Sequence, residues 1–440
     1  MSEGADPRYV IDDRERGLFR VNREVFVSDE VLDLERRHLF DRAWLYVGHE
    51  SEVPRPNDFH TRQVGGRTII FTRDRQGTVR VLLNTCRHRG AEVCRERTGN
   101  RKIFTCFYHG WAYNNSGALV SVPDSDSYSS DFDRGKLGLA QPRVESYRGF
   151  VFTTFSQETQ PLLDYLADAT HILDQVADIS DQGMRIVVGT HRYSMRANWK
   201  LLMENSVDGY HGLTVHQTYF EMMMNLGTTP PGLDGNRGIG RGVELGNGHA
   251  VAVMPELGSP IMSEEVLLER RQRRAELVAK FGEEHTIRIA NMTRNMLLFP
   301  NSAVIDLNWG IQVRTMYPIA PGHTEIVGWQ LMPVGISEQM ERYRIDNALS
   351  FWGPAGLATP DDVEGLEQCQ RGFASTNEVA WSDISRGMKK EKPTIVDELQ
   401  MRAFWREWNK QITGTAYTFE NAPLDTSYIA SDTAARAGGA

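Results

Sequence analysis

Two short segments constrain this chain more than any other: Cys86-Arg87-His88-Arg89-Gly90 and Cys106-Phe107-Tyr108-His109-Gly110-Trp111. Each supplies one thiol and one imidazole, and seventeen residues separate His88 from Cys106. Two Cys and two His can hold a tetrahedral zinc ion, but zinc sites usually keep each pair alike. Cys-x-His answered by Cys-x2-His suits a [2Fe–2S] cluster instead, one iron taking both thiolates and the other both imidazoles. A neutral imidazole in place of a thiolate removes negative charge from the cluster and raises its reduction potential.

The rest of the composition sets bounds. A length of 440 residues predicts two domains, and 40% hydrophobic against 24% charged residues is the balance of a globular protein with an ample core. A net charge of −9 argues against a nucleic-acid surface. The four cysteines leave Cys94 and Cys369 as free thiols beyond the motif, a usage that fits a reducing cytoplasm. The first residues, MSEGADPRYVIDDRERG, contain no apolar leader, and no apolar run approaches the ~18 residues of a membrane span. The expectation is a soluble, cytoplasmic protein without membrane or nucleic-acid partners.

Along the chain, residues 28–47 read as a helix capped by Ser28, with Val31, Leu32, Leu34, Leu39, Phe40 and Trp44 at helical spacing. From Asp58 to about Phe155 the texture turns to short strands between turns, with Thr68–Thr72, Val79–Leu83 and Phe150–Phe152 the clearest. The cluster motif therefore belongs to two loops of a small β domain. Helix is expected over Pro161–Ala177 and 201–225, strand over Ile186–Met195, and irregular glycine-rich chain over 226–250. A charged, solvated helix follows over Glu264–Glu284. Antiparallel strands are expected over Asn291–Ala320 and Thr324–Met332, the last long helices over 336–351 and 361–411, and a frayed tail after Ala430.

A second constellation lies in Glu204-Asn205-Ser206-Val207-Asp208-Gly209-Tyr210-His211-Gly212-Leu213-Thr214-Val215-His216. Two His and a carboxylate are the ligands of a non-haem Fe(II) site that keeps positions open for dioxygen and substrate. On a regular helix His211 and His216 would lie about 140° apart, so both can face one ion only if the helix is irregular across 208–216. Gly209 and Gly212 offer that freedom. The third ligand is left open by spacing, between Asp208 and the remote pair Asp361-Asp362 behind Gly353-Pro354-Ala355-Gly356. His38, His49, His60, His191, His249, His285 and His323 are isolated and read as surface or structural residues.

In order along the chain, these motifs, with Asn198-Trp199-Lys200 between them, resemble the large (α) subunits of Rieske non-haem iron aromatic-ring-hydroxylating dioxygenases over about Leu39 to Arg371. The resemblance implies Cys86, His88, Cys106 and His109 on the cluster, and His211, His216 and Asp362 on the iron. It makes Asp208 not a ligand but a bridging carboxylate, between His211 and a neighbouring subunit's copy of His109. Asn205 and Asp208 are the catalytic candidates. One departure is that Asn205 precedes Asp208 by one residue less than in some naphthalene-type members, which shifts where its amide is expected to point.

The same resemblance implies an α+β fold, with an all-β Rieske domain (40–156) inserted in a catalytic domain (1–39 and 157–440) whose central antiparallel sheet is flanked by helices. It implies a trimer, α3 or α3β3 with a small β subunit. Electrons would come from NADH through a reductase, with or without a ferredoxin. The implied reaction adds both atoms of dioxygen to a substituted or carboxylated aromatic ring, giving a cis-dihydrodiol. A Rieske monooxygenase or O-demethylase, and an electron carrier fused to a ligand-binding domain, remain as alternatives. Pocket candidates are Ser206, Val207, Leu213, Met222, Met223, Met224, Val253, Met262, Asn295, Leu297, Phe299, Asn301 and Phe351, with Arg294 or Arg314 for a substrate carboxylate.

Overall fold

The computed structural model describes residues 8–187, 189–227, 240–256 and 262–420. The chain divides into two compact units, one of Arg36–Tyr165 and the other of residues up to Glu35 together with those from Leu166 onward.

The Arg36–Tyr165 unit is built from three antiparallel sheets. The largest orders Val79–Leu83, Arg67–Arg73, Asp58–Val64 and Thr98–Asn100. A second orders Leu119–Ser121, Ala112–Asn114 and Ile103–Thr105, and a third Arg143–Tyr147, Phe150–Thr154 and Leu45–His49. Ile70, Leu82, Phe59, Phe104 and Tyr113 close a core that also takes in the thiols of Cys86 and Cys106. Each large apolar side chain there is worth ~1.5–3 kcal/mol of burial, which holds the loops bearing those thiols.

The other unit is organised by an eight-stranded antiparallel sheet. Its order runs Met184–Ile186, His323–Pro333, Ile311–Ala320, Ser302–Asp306, Met292–Leu298, His249–Pro255, Arg241–Gly246, with His191–Met195 also paired to His323–Pro333. Helices Trp199–Ser206 and Leu399–Thr413 pack on this sheet. The Asn198-Trp199-Lys200 motif is structural. Asn198 caps the helix through Lys200 N–H and donates to the carbonyls of Phe26 and Pro321. Trp199 Nε1 and Lys200 Nζ both donate to Glu35, at 2.8 and 2.6 Å, and Trp408 Nε1 makes a third donor at 2.9 Å. Lys200 and Glu35 are fully buried, so removing either leaves an unpaired buried charge, at ~3–5 kcal/mol.

Several elements differ from the sequence expectation. The helix expected over 28–47 is α-helical over Asp29–Glu35, with Ser28 Oγ accepting Val31 N–H as the cap, and remains helical, more widely wound, only to Phe40. Leu45–His49 is a strand paired with Phe150–Thr154. Trp44 is apolar because it is in the core, not because it continues a helical face. Pro161–Ala177 becomes two helices, Leu162–Leu166 and Ala169–Ala177, broken where Ala167 takes φ +47°. The strand over Ile186–Met195 is two strands on one partner. Within 226–250, Arg241–Gly246 and the start of His249–Pro255 are buried strands; the glycine-rich part, 228–239, and the tail after Ala430 lie outside the described residues. The run 361–411 is two helices, Thr359–Gly372 and Leu399–Thr413, separated by chain that includes strand Trp381–Asp383. There Lys390 and Thr394 close on the buried Asp397, a local network that helical geometry would break.

No helix of the described residues is long and apolar enough to cross a membrane.

Candidate active site

The helix Trp199–Ser206 delivers Asn205 at its last turn and then stops at Val207. Gly209 approaches Ile395 so closely that a Cβ would lie 2.8 Å from its side chain and 2.9 Å from its carbonyl oxygen. That contact pins the irregular stretch between Asp208 and His211. A single turn, Gly212–Val215, follows, and His216 breaks it from helix Gln217–Asn225 with φ −97° and ψ 29°. The expected irregularity is therefore present, and it lets both imidazoles face one point.

The remote carboxylate comes from Thr359–Gly372, whose first turn carries Pro360, Asp361 and Asp362. Gly353 and Gly356 make the preceding turn possible, because a Cβ at either would meet a backbone oxygen of Leu349 or Phe351. Asp362 is buried, whereas Asp361 is only half-buried. His211 Nε2 and His216 Nε2 each lie 3.4 Å from Asp362 Oδ1, and the three ligand atoms fall within 4.8 Å of one another. Ligands ~2.0–2.2 Å from a shared ion stand about 3–4 Å apart, so the donor set suits one cation.

Asp208 Oδ2 lies 3.1 Å from His211 Nδ1, which leaves Nε2 free to turn toward Asp362. Asn205 Nδ2 donates to Asp362 Oδ1 at 2.9 Å and lies 3.2 Å from His211 Nε2. The shorter spacing to Asp208 thus does not move Asn205 away from these side chains. Burial would lower the His211 pKa, but hydrogen bonds and charge from Asp208 and Asp362 outweigh it and raise it to about 10. Burial likewise would raise Asp362, yet His211 and His216 hold its carboxyl below the usual range. Two carboxylates around one imidazole leave negative charge that a divalent cation would balance.

These residues border a cavity of about 750 Å³. Of the pocket candidates, Ser206, Leu213, Met223, Asn295 and Phe351 line it; Val207, Met222, Met224, Val253, Leu297, Phe299 and Asn301 do not, and Met262 borders a smaller cavity. Sequence reasoning missed Tyr219, Ile305, Leu307, Trp309, Trp352 and Ile395. Ile305 stands opposite Asn295 in the sheet, so alternation would have found it once the register was known. Trp309 sits in a turn between strands and carries no comparable signal. Arg294 is structural: it closes on Asp306, both fully buried, and on the carbonyls of Arg288 and Ile289. Arg314 reaches the cavity.

In the other unit, the two cluster loops share one backbone design. Cys86 N–H donates to Ala91 O and Gly90 N–H to Cys86 O; Cys106 N–H donates to Trp111 O and Gly110 N–H to Cys106 O. Both thiols are buried and unlinked, while His88 is exposed and His109 half-exposed. His88 Nδ1 and His109 Nδ1 stand 3.1 Å apart, the separation of two ligands on one ion. Trp111 stacks on the His88 ring at 5.1 Å, and Tyr113 Oη lies 3.3 Å from Cys86 Sγ. Cys94 is held apart from this chemistry, its thiol pushed up to about 11 mainly by burial.

Residues 43–147 match the Rieske [2Fe-2S] domain, and residues 186–414 match the ring hydroxylating alpha subunit (catalytic domain). The chain belongs to the ring-hydroxylating dioxygenase large subunits. This large subunit is 35% identical over 392 residues to toluate 1,2-dioxygenase subunit alpha of Pseudomonas putida, covering 86% of the chain and 84% of that relative. It is 36% identical over 388 residues to the anthranilate 1,2-dioxygenase large subunit of Acinetobacter baylyi, covering 84% and 81%. Among solved structures, naphthalene 1,2-dioxygenase from Rhodococcus sp. bound to indole superposes with a TM-score of 0.79 at 26% identity, covering 90% of this chain and 95% of that one. The α+β fold expected from the motifs is the fold of this family, and its cofactors are a Rieske [2Fe–2S] cluster and a mononuclear iron.

Proposed function

We propose that this large subunit inserts both atoms of dioxygen into the ring of a substituted or carboxylated aromatic compound, giving a cis-dihydrodiol. His211, His216 and Asp362 hold the iron, and Cys86, His88, Cys106 and His109 hold the cluster. The observation that carries this reading is the meeting of three ligand atoms, drawn from two distant segments, at the wall of a largely apolar cavity roomy enough for a substituted ring. An iron held by these residues would supply the activation of dioxygen, and a cluster held by the other four would supply single electrons for it.

The chain's own residues do the rest. Asp208 fixes the tautomer and orientation of His211. Asn205 holds the Asp362 carboxylate by donating to Oδ1. Phe351, Trp309, Ile305 and Leu307 exclude water and seat a flat ring. Domain bounds of 40–156 for the electron-carrying part and 1–39 with 157–440 for the catalytic part fit this division of labour. Asp208 also serves as the route by which electrons from a neighbouring subunit's cluster reach His211. That role is supported by its contact with His211 and by the partial exposure of His109, the side chain it would reach in the neighbouring subunit, and it requires a trimer, α3 or α3β3 with a small β subunit. A reductase, with or without a ferredoxin, supplies electrons from NADH, and the complex works in the cytoplasm.

Turnover under 18O2 with purified redox partners and a panel of aromatic compounds tests the reaction. Two labelled oxygens in a cis-diol support it. One labelled oxygen, or loss of an alkyl group, replaces it with a monooxygenase or demethylase. Three irons per chain fit the oxygenase, and two would reduce the chain to an electron carrier with a ligand-binding domain.

A further inference from the structure

We propose that Arg314 is the anchor for an ionised carboxylate on the aromatic substrate, so that aryl carboxylates are the class this cavity takes. This rests on the oxygenase reading above and adds to it the group that selects the substrate. Arg314 lies on Ile311–Ala320, is 4% exposed and lines the cavity that holds His211, His216 and Asp362. Its Nη2 donates to Ser206 Oγ at 2.7 Å, and its Nε is buried without a partner. The phenol of Tyr193 and the imidazole of His191 lie beside the guanidinium, and with Ser206 they give it no negative partner. Opposite it in the sheet stands Gly328, with no side chain to answer it.

The other buried arginines show what is missing. Arg294 closes on Asp306, Arg402 on Glu420, and Arg406 on Asp12 and Glu420. Arg344 has no ion pair either, but it lies in the field of Asp306 and faces a cavity of about 110 Å³, too small for a substituted ring. Among the described residues no carboxylate lies within ion-pair distance of Arg314. The cavity's own carboxylates are engaged elsewhere, Asp208 by His211, and Asp362 by His211, His216 and Asn205.

A buried guanidinium without a counter-charge is expensive, and its fork matches the two oxygens of a carboxylate. Ile305, diagonal to it across the Ser302–Asp306 and Ile311–Ala320 pairing, is apolar, as are Leu307, Trp309 and Phe351 elsewhere in the same cavity. The anion it awaits is therefore one joined to a ring rather than a free ion. Ser206, which holds Arg314, follows directly on Asn205, which touches two of the candidate iron ligands. Tyr193 also lies in the field of both Arg314 and Asp362, so a carboxylate held by Arg314 would sit toward the metal end of the cavity.

Calorimetric titration of the holoenzyme with benzoate, benzamide and toluene tests this, because the three share a ring and differ in charge at one position. The wild type is expected to bind benzoate at least about tenfold more tightly than either neutral compound. Arg314→Met should weaken benzoate about 100-fold and erase its advantage over benzamide, with iron per chain and the visible spectrum retained. Arg314→Lys, which keeps the charge but not the fork, should recover part of that advantage. An unchanged benzoate preference in Arg314→Met would overturn the assignment. So would a wild type that oxidises toluene and ranks the three compounds alike, an outcome that leaves the oxygenase reading standing. A wild type that oxidises other aromatic compounds but binds none of these three overturns the anchor alone, and one that oxidises no aromatic compound removes both.

Discussion

The two metal-binding regions differ in how the chain assembles them. The cluster loops are local. Each places a Cys and a His within two or three residues, with the same pair of backbone hydrogen bonds closing each loop. The thiols point into the core, and His88 faces solvent, where an electron can leave or enter. The iron site is distributed and mostly buried. Two ligand candidates flank a broken helical turn, and the third arrives from a helix some 150 residues later, a separation set by Asp362 against His211. A local site is fixed by loop hydrogen bonds and forms as the small β unit folds. A distributed site exists only when the unit containing it has completed its fold.

That contrast can be broken most decisively at Asp362. Asp362→Ala should abolish turnover and lower the iron content from three to two per chain, while the cluster's visible spectrum persists; Cys106→Ser should do the reverse to the spectrum. Loss of the cluster in Asp362→Ala, read by visible absorption beside iron analysis, would show that the two sites are not independent. Next in size is Asp208→Asn, which keeps an acceptor for His211 but removes the charge. Both metals should stay bound, and reduction of the iron in a single turnover should slow by about 100-fold. A normal rate would remove Asp208 from the electron route. Smaller again is Asn205→Ala, which takes away the amide that donates to Asp362 Oδ1. It should weaken iron retention against a chelator by about tenfold, with the cluster untouched.

The same contrast decides what could be read from the sequence. The cluster ligands needed only spacing, because a Cys-x-His loop is nearly its own geometry. The break across 208–216 was also legible, since two imidazoles five positions apart cannot share a face on a regular helix. The choice of Asp362 over Asp208 was not, from spacing, because it depends on where the Gly353–Gly356 turn sends the following helix. The cavity walls were least legible. Asn295 and Ile305 face each other only through the register of the sheet, and Trp309 enters from a turn. Leu45–His49 failed for a different reason: Leu45 and Val47 continue an apolar pattern that a helix and a buried strand share, and only the pairing with Phe150–Thr154 separates them.

The smallest effects come from the glycines, and they separate the two designs most finely. Gly90 takes φ +80°, and a Cβ there would lie 3.9 Å from its nearest neighbour, Thr85 Oγ1, so the backbone alone demands glycine. Gly90→Ala should cost about 1–2 kcal/mol and lower the temperature at which the cluster bleaches. Gly212 has no such φ and nothing within 4 Å of a Cβ, so Gly212→Ala should leave iron content unchanged and shift stability by less than about 1 kcal/mol, in the stabilising direction. Gly209 is the close-packed point of the iron segment, because a Cβ would strike the Ile395 carbonyl. Gly209→Ala should therefore weaken iron retention against a chelator, by less than Asn205→Ala does, while the cluster bleaches at the wild-type temperature. If Gly212→Ala proved as damaging as Gly209→Ala, the iron segment would depend on freedom throughout the turn rather than on one close contact.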